Sequence, residues 1–419
     1  MTDPPTAPPL RALVDTCVHC GFCLPTCPTY QLWGQEMDSP RGRIHLMKLG
    51  LDGAPLTDAT VNHIDRCLGC MACVTACPSG VRYDTLITAK RAEVEQQHRR
   101  SLSERALRTL IFQLFPYPRR LRALRGPLRV AQRLGLDRAV SRLERAPSLA
   151  AMAALAPRLG RRWRLPARLP ARGQRRAVVG MLLGCVQREF FPGVNVATAR
   201  VLAAEGCEVV IPPGQGCCGA LSLHAGRRPE AARFARRTAA AFRRAGVDAV
   251  VVNAAGCGSA MKEYSELGLD PLPVRDLSEF LVELGPVAPR HPLPLTIAYH
   301  DACHLAHAQR IRSQPRQLLA AIPELVVREI ADPELCCGSA GVYNLLQPAA
   351  ARELGDRKAA TVAATGAELL VSANPGCAMQ IATGLRRAGR SLPVAHVAEV
   401  LDASISGRPG LRFDTEPRQ

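Results

Sequence analysis

Two short runs of cysteine constrain this chain more than any other feature: "CVHCGFCLPTCP", starting at Cys17, and "CLGCMACVTACP", starting at Cys67. Both read C-x2-C-x2-C-x3-C-P. Thiolates at i, i+3 and i+6 in a tight loop can face three irons of one cubane, while the fourth lies too far along to close the same cube and ligates the other cluster of a pair. The spacing therefore predicts two [4Fe–4S] sites, one from Cys17, Cys20, Cys23 and Cys77, the other from Cys67, Cys70, Cys73 and Cys27. No Asp or Ser replaces a ligand, so both should hold four irons. Pro28 and Pro78 turn the chain away after each fourth cysteine. Zinc is the competing reading, but it prefers paired CxxC hairpins or mixed Cys/His sets. His19 and His63 lie close by and read as loop or packing residues, since the thiols already suffice.

The remaining cysteines bear on compartment. Seventeen is an odd number, and clustering this tight speaks for metal or redox work in a reducing cytoplasm rather than a disulfide framework. The start, "MTDPPTAPPLRALVDTC", has no apolar core of a secretory signal, and runs such as "AVVGMLLGCV" are too short to span a bilayer. The net charge of +18 sits almost wholly in one segment. Between Arg99 and Arg176 there are 21 arginines against Glu104, Asp137 and Glu144, and the rest of the chain is balanced.

Texture divides the chain into residues 1–98, a mostly helical domain around the cysteine runs; 99–176, an arginine-rich connector; 177–290; and 291–405. In the first part "SPRGRIHLMKLG" predicts a helix with Ser39 as N-cap, Pro40 at its first position and Gly50 at its end, and "YDTLITAKRAEVEQQHRR" predicts another. In the connector Pro116, Pro118, Pro127, Pro147, Pro157, Pro166 and Pro170 predict short amphipathic helices. The last two parts alternate strand and helix and repeat. Cys185, Cys217 and Cys257 map onto Cys303, Cys336 and Cys377 at offsets of 118, 119 and 120, which marks a duplicated α/β module. Each copy carries an adjacent pair, Cys217–Cys218 and Cys336–Cys337, followed by glycine. A disulfide between neighbours would be strained, so the pairs read as ligands or redox groups at one small centre. In "YHDACH", His300, Asp301 and His304 surround Cys303, either as hydrogen-bonding partners of a redox centre or as a strand-end polar cluster. Cys207 lies outside every motif and reads as a small buried hydrophobe.

A cysteine, a CCG about thirty residues on and a closing cysteine resemble the cysteine-rich CCG domain shared with heterodisulfide reductase, anaerobic glycerol-3-phosphate dehydrogenase and lactate-utilisation proteins. Within that group the chain resembles the iron–sulfur subunits of glycolate oxidase (glycolate dehydrogenase), most closely in "CVHCGFCLPTCPTY", "DSPRGRI", "YHDACHLAHAQRIRSQPRQLL", "CCGSAGVYNLLQP" and "NPGCAMQI". The resemblance implies an α+β multidomain fold: a helical two-cluster ferredoxin domain, the helical connector, then two α/β CCG modules. Five cysteines per module hold an additional cluster in the best-understood members of that group. Here "AAGC" and "NPGC" replace the closing CxxC, leaving Cys185, Cys217, Cys218 and Cys257 in one module and Cys303, Cys336, Cys337 and Cys377 in the other. Four thiols still offer a further redox site; the five-ligand version is excluded.

The resemblance further implies an electron-transfer subunit, not catalytic alone, that takes electrons from flavin-containing subunits oxidising glycolate to glyoxylate and passes them to a quinone or other acceptor. Its expected location is the cytoplasm, with peripheral contact on the inner face of the membrane. A lactate or glycerol-3-phosphate dehydrogenase subunit is the alternative within the same class. A nucleic-acid-binding iron–sulfur protein is the alternative outside it, and the connector argues against that. Its aromatics (Phe112, Phe115, Tyr117, Trp163) are sparse, and leucines alternate with arginines as on a membrane or partner surface. No GxGxxG loop follows a strand, so no hydride chemistry is expected of this chain.

Overall fold

A computed structural model of the chain describes residues 9–407 apart from 144, 161 and 162; the extreme N-terminal stretch read for a signal, and Glu144, lie outside the described residues. The first part is helical. Ser39 accepts a hydrogen bond from the Gly42 amide at 3.0 Å and opens the helix Pro40–Leu51, with Pro40 in the first turn, where its missing N–H costs nothing. The helix runs past Gly50, which does not take the left-handed conformation that would stop it. Tyr83–Gln97 forms the second expected helix and buries Leu86, Ile87 and Val94 against Ile44, Val61 and Ile64.

The connector folds into Leu102–Leu114, Pro118–Arg133, Leu136–Val140 and Pro147–Leu155. Pro118 and Pro147 start helices, as a proline at the first turn can. Pro127 instead lies inside Pro118–Arg133. It removes one helical hydrogen bond on a solvent-facing side, where water can take over the freed carbonyl.

Beyond the connector stand two sheets. β1 (Arg168–Leu169), β2 (Ala177–Met181), β3 (Cys207–Val210), β4 (Ala249–Val252) and β5 (Val274–Asp276) form the first, in the order β1-β3-β2-β4-β5. β6 (Leu295–His300), β7 (Leu325–Glu329), β8 (Leu369–Ser372) and β9 (Val394–Ala395) form the second, in the order β7-β6-β8-β9. All pairings are parallel except β1 with β3, in which Arg168 faces Val210. Parallel strands need crossover helices, and their burial on both faces explains the unbroken apolar runs "AVVV" and "LLVS". The two modules share one core: Val179, Met181, Val201 and Leu202 from the first pack with Ile297, Tyr299, Val371, Val397 and Leu401 from the second. Cys207 is fully buried in that core.

At this junction His396 caps the helix Val397–Ser406, its Nδ1 accepting from the Ala398 amide at 3.0 Å. Burial brings its pKa from 6.5 down to about 4, against the opposing pull of backbone groups of Asn253 and Ala373. The folded state therefore favours the neutral ring, and the unfolded chain takes up the proton first as pH falls. Its contribution is complete above pH 6.5 and is lost on descent towards pH 4. By urea unfolding, wild type should lose about 2 kcal/mol more than His396→Asn between pH 7 and pH 5, since asparagine caps without titrating.

Candidate metal centres

The two N-terminal cysteine loops share a backbone pattern that spacing alone does not show. In each, the residue before the central cysteine and the residue after it have positive φ: His19 (54°) and Gly21 (89°) around Cys20, Gly69 (67°) and Met71 (65°) around Cys70. Alternation of this kind winds a short loop around a central point. His19 and Met71 hold a conformation that costs a side-chain-bearing residue about 1 kcal/mol or more, the sort of strain retained at functional sites.

Beneath these loops lie two cavities. Cys17, Cys20, Cys23, Cys73 and Cys77 line one, beside Pro40, Ile44 and Tyr83. Cys27, Cys67, Cys70 and Cys73 line the other, beside Arg43 and Tyr83. Cys77 thus stands with the first run and Cys27 with the second, and Cys73 lines both. The first group is the more open, with Cys20 exposed, whereas Cys27, Cys67, Cys70 and Cys73 are all buried. His63 points away from both cavities, its Nδ1 on Asp38 Oδ1 at 2.9 Å.

Charge around the second cavity is arranged for anionic sulfur. Burial raises Cys67, but Arg43 and Arg91, with hydrogen bonds from the Tyr83 hydroxyl (3.6 Å) and the Gly69 amide (3.4 Å), bring it below the usual thiol value. Burial pushes Cys70 and Cys73 well up and Cys23 to about 11. Facing thiols this dry cannot all carry negative charge unaided; iron would supply the compensating positive charge, and the donor sets fit a four-thiolate cluster in each cavity. Arg43 is fully buried and held by Asp38, which also takes Arg66 (2.8 Å) and is itself 0% exposed.

The CCG cysteines stand at the carboxyl ends of three neighbouring parallel strands. Cys185, the Cys217–Cys218 pair and Cys257 follow β2, β3 and β4; Cys303, the Cys336–Cys337 pair and Cys377 follow β6, β7 and β8. Adjacent strands lie about 4.8 Å apart, so loops leaving them meet at that edge. The sulfurs lie 3.6 Å apart for Cys185 and Cys217, and 4.0 Å apart for Cys303 and Cys336. In the second module the ligand atoms of His300, Cys337 and Cys377 lie within 4.8 Å of one another. Burial and the Lys358 ammonium bring His300 down to about 3, leaving a neutral imidazole with Ser372 Oγ at 3.2 Å. Asp301 pairs with Arg316 at 2.6 Å instead. His304 reaches across to the N-terminal domain, its Nε2 on the Gly69 carbonyl at 2.9 Å. That contact spans 235 residues, and no local pattern could have announced it.

Residues 13–81 match the 4Fe-4S dicluster domain, residues 103–156 the linker region of the glycolate oxidase iron-sulfur subunit, and residues 179–262 and 297–382 the cysteine-rich domain. The chain is 38% identical to the probable glycolate oxidase iron-sulfur subunit of Bacillus subtilis over 92% of both proteins. It is 37% identical to the glycolate oxidase iron-sulfur subunit of Escherichia coli over 94% of this chain and 95% of the relative. It belongs to that family. A lactate utilization protein A from Shouchella clausii is 30% identical but matches only 54% of this chain, though 98% of its own length. As a glycolate oxidase iron–sulfur subunit by family, the protein carries iron–sulfur clusters, and the buried Asp38–Arg43 pair supports the second cavity from below. Asp38→Ala should lower unfolding stability by about 3–5 kcal/mol, because it removes the buried carboxylate that anchors Arg43 and also takes Arg66. Urea titration followed by tryptophan fluorescence and by visible absorbance would measure it.

Proposed function

We propose that this chain is the electron relay of a glycolate dehydrogenase complex, with Cys17, Cys20, Cys23 and Cys77 holding one [4Fe–4S] cluster and Cys67, Cys70, Cys73 and Cys27 the other. The observation that carries the reading is Cys73, which lines both cavities, so two sites there stand wall to wall. Clusters bound in them supply one-electron steps. Partner subunits carrying a flavin take two electrons from glycolate, and this chain accepts them singly and passes them towards a quinone. Its own residues set the terms of that passage. Cys20 stands at the surface for entry, and Arg43, Arg91 and Tyr83 stabilise negative charge on the buried Cys67 sulfur. The relatives' names support glycolate over lactate, since the lactate utilization match leaves nearly half the chain uncovered.

The isolated chain should then bleach and recolour with artificial redox agents yet oxidise no glycolate. With the flavin subunits added, glycolate should drive dye and quinone reduction. Cys20→Ser or Cys70→Ser should lower iron from about eight atoms per chain and block quinone reduction while substrate still reduces the flavin. Zinc in place of iron, or glycolate oxidation by this polypeptide alone, overturns the assignment.

The connector supports attachment to an anionic membrane surface in the cytoplasm. No described helix is long and apolar enough to cross a membrane. Yet Leu102, Leu110, Leu124, Val130, Leu134, Leu136, Leu143 and Leu149 are all exposed, interleaved with exposed Arg119, Arg129, Arg133 and Arg138. An arginine near such a surface contributes about 1 kcal/mol, weakened by salt. Reversing Arg119, Arg133, Arg138 and Arg142 to Glu should move the complex into the soluble fraction, and salt should do the same to wild type. Unchanged fractionation in both cases counts against membrane attachment.

A further inference from the structure

Outside the two cysteine cavities lies a larger one of about 380 Å³, within the roughly 300–1,000 Å³ range of small-molecule sites. It forms where every part of the protein meets. Leu68 contributes from the second cysteine loop and Leu107 from the connector helix Leu102–Leu114. The first module supplies Leu221 and His224, just after its cysteine pair, and the second supplies Tyr343 and Leu346, just after its own.

Its charges are matched. Arg100 pairs with Asp65 at 2.7 Å and with Glu104 at 2.5 Å, and Arg108 pairs with Glu104 at 3.0 Å. Arg91 is committed to the carbonyls of His224 (2.9 Å) and Cys67. An anionic ligand would have to break one of these pairs, so the lining favours a neutral molecule. Polar groups remain for it. His224 lines the space, and Tyr343 is 5% exposed with a hydroxyl that has no hydrogen-bond partner among the described residues.

The cavity is also wired to the second cysteine site. Leu68 is bonded to Cys67 and separated from Cys70 only by Gly69. His304 contacts the Gly69 carbonyl at 2.9 Å, and its ring centroid stands 4.8 Å from that of His224. Leu107 belongs to the same helix as the exposed Leu102 and Leu110, so one face of that helix reaches the cavity and another faces outwards. A ligand delivered from a membrane would meet the cavity there.

We propose that this cavity binds a quinone head group, the neutral lipophilic acceptor that draws its electrons from the Cys67–Cys70–Cys73 site. The assignment rests on the electron-relay reading above. Two electrons removed from glycolate arrive one at a time, two protons enter from solvent, and the quinone leaves as quinol. Two protons are released where glycolate becomes glyoxylate, so atoms and charge balance. Asp58, whose side chain is 97% exposed and stands 3.7 Å from His98, marks the solvent mouth.

The test uses the intact complex and a short-chain azido-benzoquinone. Photolabel should map by peptide mass spectrometry to residues 221–225 and 340–347, with protection by unlabelled quinone. Leu107→Trp, which fills the space from the connector side, should abolish the label and raise the quinone KM at least about tenfold, while glycolate still bleaches the clusters to full amplitude. Thr109→Trp, on the exposed side of the same helix, should change neither. Label elsewhere, or wild-type quinone kinetics in Leu107→Trp, overturns the proposal. So does protection by glyoxylate and not by quinone, which would make the cavity an anion site. Failure of the relay reading shows differently: glycolate then reduces no dye in any variant, and the photolabel still decides the cavity.

Discussion

Buried anionic sulfur is the constraint on which the rest of this protein depends. Cys27, Cys67, Cys70 and Cys73 are held out of water, where a thiolate is costly unless positive charge stands close by. Iron bound in the cavities would supply that charge, and the chain adds guanidinium groups behind them. Arg43 is buried to 1% exposure and anchored on Asp38, which is itself tied to His63 and Arg66. Arg91 spans from the second cysteine loop to the carbonyl of His224 and so ties the electrostatics of the loop to the first module. Gly226 belongs to that contact: it has a φ of 82°, and a Cβ there would meet the Arg91 carbonyl at 2.2 Å.

The duplicated modules are alike in topology and unlike in surroundings. Both bring four cysteines to the carboxyl edge of a parallel sheet. The second brings its cysteine pair against the cluster domain, where Cys336, Tyr343, Ala350 and Leu354 pack on Leu68, Cys70 and Ala72, whereas the first meets that domain through the His224 carbonyl on Arg91 and Glu266 on Arg82. Only the second has a histidine, His300, among its thiols; by the repeat offset, Leu182 occupies that place in the first. Cys185 and Cys217 of the first module pack with Phe234 and the connector's Tyr117 instead. Duplication supplied two equivalent edges, and docking made one of them the neighbour of the electron route.

The connector holds these parts together. Ile111 and Phe112 are wholly buried against Val342 and Leu345 of the second module, and Arg122 reaches Glu189 of the first at 2.8 Å. The same helices keep their leucines and arginines outwards. An amphipathic segment can thus be core on one face and present exposed leucines and arginines on the other.

Much of this was legible in the sequence because local spacing carries it. Ligand runs, trailing prolines, the Ser39 cap, the strand and helix alternation and the repeat offset all depend on residues close together in the chain, where period and turn chemistry act. Gly50 and Pro127 misled at the level of element ends and breaks, since a glycine need not take a positive φ and an exposed proline need not end a helix. Tertiary structure alone decided what lies between distant segments. It set which module faces the second cysteine loop, brought His304 to Gly69, paired Asp38 with Arg43 and Arg66, and opened the cavity walled by Leu68, Leu107, Leu221 and Tyr343. Such contacts arise from packing surfaces that no periodicity records, because each is made by residues whose neighbours in sequence serve another purpose.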